Sequence, residues 1–321
     1  MEQKKHPRII FMGTPKFSAD ILSILLKNGY DIVGVFTQPD KKVGRKQMLE
    51  ESPVKILAKK NDIATFTPRK MDPENIEKIR QLSPDLIVLV AYGKILPQAV
   101  LDIPKFGAVN IHPSLLPKFR GSSPIQNALL TGEDSTGTTI MLMDAGMDTG
   151  DILRQEEVAI GPDETYPELE ERLIDVSSRL LLEVLPELLE GEIVPLKQDS
   201  AKATYCRLIK KADGQIDWNS SADDIYAKFR AFASWPGIFT YWDSKRIKLN
   251  KVRLEQGDFT SFQPGEVFSE NGKVLIKAGI SAIAVEEIQP EGKSNMKMED
   301  FLNSRPNFIG SILSSNLEIS A

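Results

Sequence analysis

Short apolar runs alternate with apolar residues at helical spacing in the first part of the chain. Arg8–Met12 is such a run and ends at Gly13, and after Pro15 the apolar residues recur with a helical period until Gly29. A second apolar run covers Asp31–Phe36. A strand, a helix and a strand within about 30 residues form a βαβ unit, whose two strands are parallel. The pattern therefore predicts a parallel sheet.

The same alternation continues and predicts a larger sheet flanked by helices. Further helices are predicted over Pro53–Lys60, Pro73–Leu82 and Tyr166–Glu190, and further strands over Asp85–Val90, Ala108–Ile111, Thr138–Met143 and Ile152–Ile160. Gly191 follows the longest of these helices and is expected to end it. We therefore predict an α/β domain with a doubly wound, mostly parallel sheet.

The pattern changes in the last third of the chain. After Cys206 there is one helical segment, Ala222–Phe232, followed by short alternating runs between residues 237 and 290. Many short strands at close spacing predict a small antiparallel barrel. We therefore expect a catalytic domain over residues 1–191, a linker over 192–205 and a second domain over 206–321.

Composition excludes several protein classes. Of the 321 residues, 41% are hydrophobic and 26% are charged, which is typical of a globular chain and not of a disordered, collagenous or coiled-coil protein. We find no apolar run of about 18 residues and no secretory signal, so we expect a cytoplasmic protein. Cys206 is the single cysteine, and His6 and His112 are the two histidines. These counts argue against a disulfide framework and against a Cys-based or His-rich metal site, and we expect no metal.

The charge distribution leaves a polyanionic partner open. The formal net charge is −5, but Lys41–Lys46 and Lys245–Arg253 are both rich in cations. A single basic run is more often a solvated face of a strand or loop. Two such runs in an acidic chain are compatible with nucleic-acid binding and do not prove it.

The ends of three predicted strands carry the candidate chemistry. The first βα turn has only Gly13, whereas a dinucleotide fingerprint needs three glycines, so NAD or FAD is not expected. No P-loop sequence is present either. Ligands of an open α/β sheet bind at the carboxyl ends of its strands, which are here followed by Ala91–Lys94, Asn110–Ser114 and Asp144–Asp148.

Asn110, His112 and Asp148 can perform acyl transfer together. Asn110 and His112 are two residues apart on a strand and face the same side. Asn110 could donate to a developing oxyanion, His112 could donate or shuttle a proton, and Asp148 could orient and charge-balance the imidazole. A histidine at a strand end is more often a structural residue. Ser114 could instead be a nucleophile with His112 as its base, although no nucleophile elbow surrounds it.

A series of short motifs extends over nearly the whole chain. They are Phe11–Pro15, Gln38–Asp40, Gly44–Arg45, Ser52–Lys55, Val90–Gly93, Asn110–Gly121, Ser122–Gln126, Thr138–Asp151, Ile216–Trp218, Arg230–Phe232 and Trp235–Gly237. In sequence and in order these motifs resemble those of 10-formyltetrahydrofolate-dependent formyltransferases, and within that family those of the methionyl-tRNA formyltransferases.

The resemblance implies a Rossmann-like formyltransferase domain followed by an OB-like barrel that binds tRNA. It implies a monomer that transfers the formyl group of 10-formyltetrahydrofolate to the α-amine of methionyl initiator tRNA, for translation initiation. The catalytic residues implied by position are Asn110, His112 and Asp148. The residues implied to bind the folate are Ser114, Leu115, Leu116, Pro117, Ala91, Tyr92 and Gly93. The residues implied to contact tRNA are Arg45 and Lys46 in a loop inserted after the second strand, and Lys245, Arg246 and Lys248 in the barrel.

Two departures and two alternatives accompany this prediction. Glu50 and Glu51 make the inserted loop less cationic than is usual in the family, and the barrel matches only in short segments. One alternative is a folate-dependent formyltransferase that acts on a small amine, such as glycinamide ribonucleotide, or on a sugar nucleotide. The other is a catalytically silent RNA-binding protein.

Overall fold

The computed structural model describes residues 7–43 and 47–315, which form two compact units. The predicted tRNA contacts Arg45 and Lys46 lie outside the described residues. The first unit comprises the chain up to Pro124 together with Ser135–Ile160 and Glu170–Leu208; the second comprises Ile125–Asp134, Gly161–Leu169 and the chain from Ile209 onward.

The described helices and strands follow the predicted order closely. The helices are α1 (Lys16–Lys27), α2 (Pro53–Lys60), α3 (Pro73–Gln81), α4 (Gln98–Leu101), α5 (Pro124–Leu130), α6 (Tyr166–Glu190), α7 (Ala222–Ala231) and α8 (Met298–Ser304). The strands of the first unit are β1 (Arg8–Gly13), β2 (Asp31–Phe36), β3 (Lys41–Val43), β4 (Met48–Glu50), β5 (Thr65–Phe66), β6 (Leu86–Val90), β7 (Ala108–His112), β8 (Arg120–Gly121), β9 (Ser135–Leu142), β10 (Ile152–Ala159) and β11 (Tyr205–Cys206).

The first unit is built on a seven-stranded sheet in the order β10-β9-β7-β6-β1-β2-β5. Strands β7, β6, β1, β2 and β5 pair in parallel, which confirms the predicted fold class. All five residues of β6 are buried, as expected for a central strand covered on both faces. Strand β9 pairs antiparallel with both β7 and β10. The expectation that the segment after β9 leaves the same edge as those after β6 and β7 is therefore wrong.

Local signals explain where the predicted helices begin. The Ser52 side chain accepts a hydrogen bond from the backbone N–H of Lys55 at 3.1 Å, and Pro53 occupies the first turn of α2. Asp72 caps α3 in the same way, again with a proline in the first turn. Proline has no N–H to leave unpaired at this position, so the Ser-Pro and Asp-Pro pairs mark helix starts.

The second unit contains an antiparallel sheet in the order β12-β13-β16-β15-β14, with β17 pairing to β16. Its strands are β12 (Ile238–Trp242), β13 (Lys245–Glu255), β14 (Val267–Glu270), β15 (Lys273–Lys277), β16 (Ala282–Pro290) and β17 (Met296–Lys297). Residues 310–314 bridge its two edges: Ser314 pairs with Tyr241 of β12, and Ile312 pairs with Glu266 beside β14. The antiparallel character is confirmed, while the OB-like assignment stays a prediction.

No helix within residues 7–43 and 47–315 is both long and apolar enough to cross a membrane.

Candidate active site

Asn110 and His112 lie on β7 and are nearly buried, with 6% and 4% of their surfaces exposed. Strand β7 is flanked by β6, where Leu89 pairs with Asn110, and by β9, where Thr139 pairs with His112. Because alternate residues of a strand face the same side, the register gives the amide and the imidazole a common face. The strand period had predicted this arrangement from the sequence.

Asp148 reaches these two side chains although its loop begins at the other end of β7. Leu142, the last residue of β9, pairs with Val109 near the start of β7. The loop then folds back so tightly that a Cβ atom on Gly150 would lie 1.8 Å from the Leu142 carbonyl oxygen. Asp148 adopts a left-handed conformation with φ 55°, which aspartate tolerates better than most residues.

The three predicted catalytic side chains are adjacent. Asn110 Nδ2 donates to Asp148 Oδ1 at 3.3 Å, and His112 Nδ1 lies 3.8 Å from Asp148 Oδ2. The backbone N–H of Gly121 donates to the same Oδ2 at 2.8 Å. The sequence therefore identified a real cluster, but it gave no signal for the Gly121 contact.

The hydrogen bonds of His112 indicate which ring nitrogen serves the cluster. His112 Nε2 lies 2.9 Å from the carbonyl oxygen of Phe119. A carbonyl oxygen only accepts, so Nε2 carries a hydrogen in either protonation state of the ring. In the neutral ring, Nδ1 then has the free lone pair and faces Asp148. A proton taken up at Nδ1 would form an ion pair with that carboxylate.

The predicted folate segment Ser114–Pro117 is fastened to β9 by one buried hydroxyl. Thr139 Oγ1 donates to the Ser114 carbonyl at 2.6 Å and accepts from the Leu116 N–H at 3.1 Å. The Gln155 amide on β10 donates both to that hydroxyl and to the Leu116 carbonyl, each at 2.8 Å. Thr139 and Gln155 were not singled out from the sequence, because their roles depend on strand register.

Ser114 is not arranged as a nucleophile. It is completely buried, and its hydroxyl donates to the Lys118 carbonyl oxygen at 2.7 Å. His112 Nε2 is already bound to the Phe119 carbonyl oxygen. The geometry therefore does not favour hydrolysis by a Ser114–His112 pair.

The second predicted folate segment, Ala91–Gly93, follows β6 at the carboxyl edge of the sheet. Ala91 and Gly93 are exposed, and both have left-handed backbones, with φ 44° and 77°. Tyr92 between them is fully buried, and its carbonyl accepts from Gln38 Nε2 at 2.9 Å and from the Thr14 hydroxyl at 3.3 Å. Burial also raises the pKa of the Tyr92 phenol, so this side chain stays neutral.

The single cysteine lies beside this cluster. The Cys206 thiol donates to the carbonyl oxygens of Phe119 and Arg120 at 3.4 and 3.3 Å. Burial raises its pKa, and the nearby negative charge of Asp148 raises it further. Cys206 is thus a protonated packing residue at neutral pH.

The cations of the basic run on β13 lie in different environments. Lys245 is exposed, Arg246 is half-buried with its guanidinium carbon 5.5 Å from the Phe239 ring centre, and the Lys248 ammonium donates to the Pro236 carbonyl at 3.1 Å. Burial lowers the pKa of Lys248, and the positive charges of Arg246 and Lys211 lower it further.

The other two cations of the run, Lys251 and Arg253, form ion pairs with Glu286 at 2.8 and 2.5 Å. Lys245 and Arg246 are therefore the members of the run that are best placed to meet an anionic partner.

Comparison with known proteins identifies the family. The model of a family described as "Formyl transferase" matches residues 7–185. A second family model, described as "Formyl transferase, C-terminal domain", matches residues 208–306. The methionyl-tRNA formyltransferase of Geobacter sulfurreducens is 43% identical over 299 residues, which are 92% of this chain and 93% of that protein. The chain belongs to the methionyl-tRNA formyltransferase family. The family member of Caldicellulosiruptor saccharolyticus is also 43% identical, over 311 residues that cover 95% of this chain and 99% of that protein.

Solved structures share the fold at lower sequence identity. An N-formyltransferase from Helicobacter canadensis, in complex with folinic acid and dTDP-3-aminofucose, aligns with a TM-score of 0.64 and 20% identity, covering 87% of this chain and 99% of that one. HypX from Aquifex aeolicus in complex with tetrahydrofolic acid aligns with a TM-score of 0.64 and 17% identity, covering 94% of this chain and 47% of that one. The present chain thus spans about half the length of HypX.

Proposed function

We propose that this protein transfers the formyl group of 10-formyltetrahydrofolate to the α-amino group of methionyl initiator tRNA. The observation that carries the proposal is the cluster of Asn110, His112 and Asp148 in a chain that belongs to the methionyl-tRNA formyltransferase family. The residue roles below are part of the proposal.

The cluster supplies the groups that acyl transfer to an amine requires. The neutral α-amine attacks the formyl carbon, a carbon–nitrogen bond forms, and the carbonyl oxygen becomes an oxyanion. Asn110 donates its amide N–H to this oxyanion. His112 Nδ1, facing Asp148, takes the proton that the attacking nitrogen loses, and the carboxylate balances the resulting charge.

The intermediate then releases the folate. The bond between the formyl carbon and N10 breaks, and the proton held at His112 passes to N10 as that nitrogen leaves. The products are N-formylmethionyl-tRNA and tetrahydrofolate, so atoms and charge balance.

The folate is proposed to bind at the segments after β6 and β7. Ala91 and Gly93 are exposed there, and their neighbour Tyr92 is fixed by its buried ring and carbonyl contacts. Ser114–Pro117 is fixed by Thr139. Rigid backbone at this edge can hydrogen-bond a planar heterocycle without reordering on binding.

The tRNA is proposed to contact the inserted loop and the antiparallel domain. Lys245 is exposed and Arg246 is half-buried on β13, which supports both in this role, and Lys248, whose ammonium is bonded to the Pro236 carbonyl, is proposed as a third contact. Arg45 and Lys46 are proposed contacts in the inserted loop. In this assignment residues 1–191 are catalytic, 192–205 link the domains, and 206–321 form an OB-like barrel of a monomeric, cytoplasmic enzyme.

An acceptor panel tests the proposal. Purified protein with 10-formyltetrahydrofolate would be offered methionyl initiator tRNA, methionyl elongator tRNA and glycinamide ribonucleotide, and the formylated product would be measured. We expect turnover with the initiator tRNA alone. Turnover with the small amine alone would move the chain to another substrate, and RNA binding without turnover would support a silent binding protein.

A further inference from the structure

Arg120 is a buried cation next to Gly121, whose N–H contacts Asp148. Only 1% of Arg120 is exposed, and among the described residues its guanidinium forms no ion pair. Nε and Nη2 donate to Gln198 Oε1 at 3.1 and 2.8 Å, and Nη1 lies 3.5 Å from the Tyr205 hydroxyl. A buried charge is costly unless its hydrogen bonds are satisfied, and the Gln198 amide oxygen is the main acceptor for the Arg120 guanidinium.

The other end of the same amide holds the loop that carries Asp148. Gln198 Nε2 donates to the Asp148 carbonyl oxygen at 2.9 Å and to the Gly150 carbonyl oxygen at 2.7 Å. An amide whose oxygen accepts from a cation is polarised and becomes a stronger donor at its nitrogen. The charge of Arg120 therefore strengthens the hydrogen bonds from Gln198 to the Asp148 and Gly150 carbonyl oxygens.

Gly121, the residue after Arg120, holds the side chain of Asp148. The Gly121 N–H donates to Asp148 Oδ2 at 2.8 Å. Asp148 has a left-handed backbone, and such a conformation persists when the surrounding contacts over-determine it. Both the carbonyl and the carboxylate of Asp148 are thus tied to the Arg120–Gly121 segment, the first through Gln198 and the second directly.

We propose that Gln198 is a positioning residue for formyl transfer, which fixes the Asp148 backbone so that its carboxylate faces Asn110 and His112. The inference rests on the proposed function. Gln198 contacts neither Asn110 nor His112 in the structure, so it acts through Asp148. Displacing the carboxylate by about 1 Å is enough to reduce the rate strongly.

Two substitutions distinguish this positioning role from one in which Gln198 only accepts hydrogen bonds from the Arg120 guanidinium. Gln198→Glu keeps an oxygen for the guanidinium but has no N–H for the two loop carbonyls. Gln198→Met has a similar length and loses both sets of bonds. If Gln198 served only to partner Arg120, the glutamate variant would be fully active, since a carboxylate accepts from a guanidinium at least as well as an amide.

Steady-state formyl transfer to methionyl initiator tRNA would be measured for both variants, with Lys197→Ala as the control at the exposed neighbouring position. We expect kcat to fall about 10- to 100-fold in both Gln198 variants. The KM for the tRNA and the KM for the folate should stay within about threefold of the wild type. The control should match the wild type. A Gln198→Glu variant with wild-type kcat, or a change in KM alone, would overturn the inference.

Cys206 provides a second measurement that does not need activity. It is the single cysteine and is bonded to the Arg120 carbonyl, so a thiol reagent such as dithiobis(nitrobenzoate) reports opening of this segment. We expect its modification rate to rise at least about fivefold in Gln198→Met and to stay unchanged in Lys197→Ala. An unchanged rate in Gln198→Met would overturn the inference. If the wild type transfers no formyl group, the proposed function fails, and the thiol rate alone then decides the role of Gln198 in holding the loop.

Discussion

At the scale of single residues, the proposed mechanism gives each member of the cluster one role. Asn110 is proposed to donate to the oxyanion, His112 to exchange a proton through Nδ1, and Asp148 to balance charge, while Phe119 and Gly121 hold the ring and the carboxylate through their backbones. Two of these contacts come from main-chain atoms. A substitution that keeps the backbone therefore leaves them intact and tests one side chain at a time.

Asn110→Ala removes the proposed oxyanion donor. We expect kcat to fall about 10²–10³-fold, because such a donor acts on charge that develops in the transition state, with little change in the KM for the folate. Steady-state kinetics with both substrates checks this. Asn61→Ala, at the exposed end of α2, is the matched control and should keep the wild-type rate. A loss that appears only in KM would contradict the assigned role.

Thr139→Val tests how the predicted folate segment is held. The valine keeps the shape but leaves the Ser114 carbonyl and the Leu116 N–H without their partner, which should cost about 1–3 kcal/mol of stability and raise the KM for the folate. Thermal unfolding and kinetics measure the two effects.

Thr138→Val is the control for this substitution. Thr138 is the preceding residue on β9, is equally buried, and bonds instead to the Ser177 hydroxyl on α6 at 2.9 Å. It should lose stability without a change in the folate KM. Equal KM values in the two variants would show that Thr139 does not organise the folate segment.

At the scale of elements, the sequence predicted the helices and central strands well because their signals are local. The Ser52-Pro53 and Asp72-Pro73 pairs start α2 and α3, and Gly191 follows the end of α6. The direction of β9 was missed because an apolar run such as Thr138–Met143 looks the same in either direction. Asp148 was still predicted, because it follows the predicted strand in a glycine-rich loop, and that loop folds back to β7.

The residues that support the cluster could not be predicted from pattern. Thr139 matters because β7 and β9 pair in one particular register, and Gln198 matters because a segment predicted as a linker returns to Arg120. Both relations join residues that are distant in sequence. Periodicity describes neighbours along the chain and gives no information about such contacts.

Strands β8 and β11 form a two-stranded parallel pair that sets the position of Gly121. A Cβ atom there would lie 2.2 Å from the Cys206 carbonyl oxygen, and the backbone has φ 115°. Gly121→Ala should therefore lower stability by about 1–3 kcal/mol or more and reduce kcat, because the N–H that holds Asp148 must move. Unfolding and kinetic measurements check both effects.

Gly191→Ala is the control, since Gly191 has φ 73° but nothing within 4 Å of an added Cβ. It should show the cost of backbone strain without the loss of kcat. Full activity in Gly121→Ala would contradict the role of the Gly121 N–H.

The C-terminal segment completes the sheet of the second unit. Ser314 and Tyr241 exchange two backbone hydrogen bonds at 2.9 and 3.1 Å, Leu313 donates to Gly265 at 2.8 Å, and the Leu313 side chain is 3% exposed. A chain that ends at residue 309 should lose about 3–5 kcal/mol of stability through these bonds and this burial. A chain that ends at residue 315 keeps these bonds and is the matched control. Equal unfolding midpoints of the two shortened chains in denaturant would contradict the stabilising role of residues 310–314.

At the scale of the whole molecule, the proposed function requires both a cluster for acyl transfer and a surface that binds a polyanion. Lys245→Glu and Arg246→Glu should raise the KM for methionyl initiator tRNA, leave the KM for the folate unchanged, and reduce the slope of log binding against log salt by about 1 for each cation lost. Filter binding at several salt concentrations measures that slope. Lys105→Glu, at an exposed position of the first unit, is the control. Equal effects of all three substitutions would indicate a general charge effect instead of a tRNA contact.

Asn110, His112 and Asp148 are proposed to transfer a formyl group to methionyl initiator tRNA. The most direct test is single-turnover formation of formylmethionyl-tRNA by the wild type and by Asp148→Asn, with enzyme and 10-formyltetrahydrofolate in excess. The asparagine keeps the size of the side chain but removes the charge facing His112 Nδ1 and one acceptor for Gly121. We expect rapid product formation with the wild type and a rate about 10²–10³-fold lower with the variant. Equal rates for the two proteins, or no product from the wild type, would contradict it.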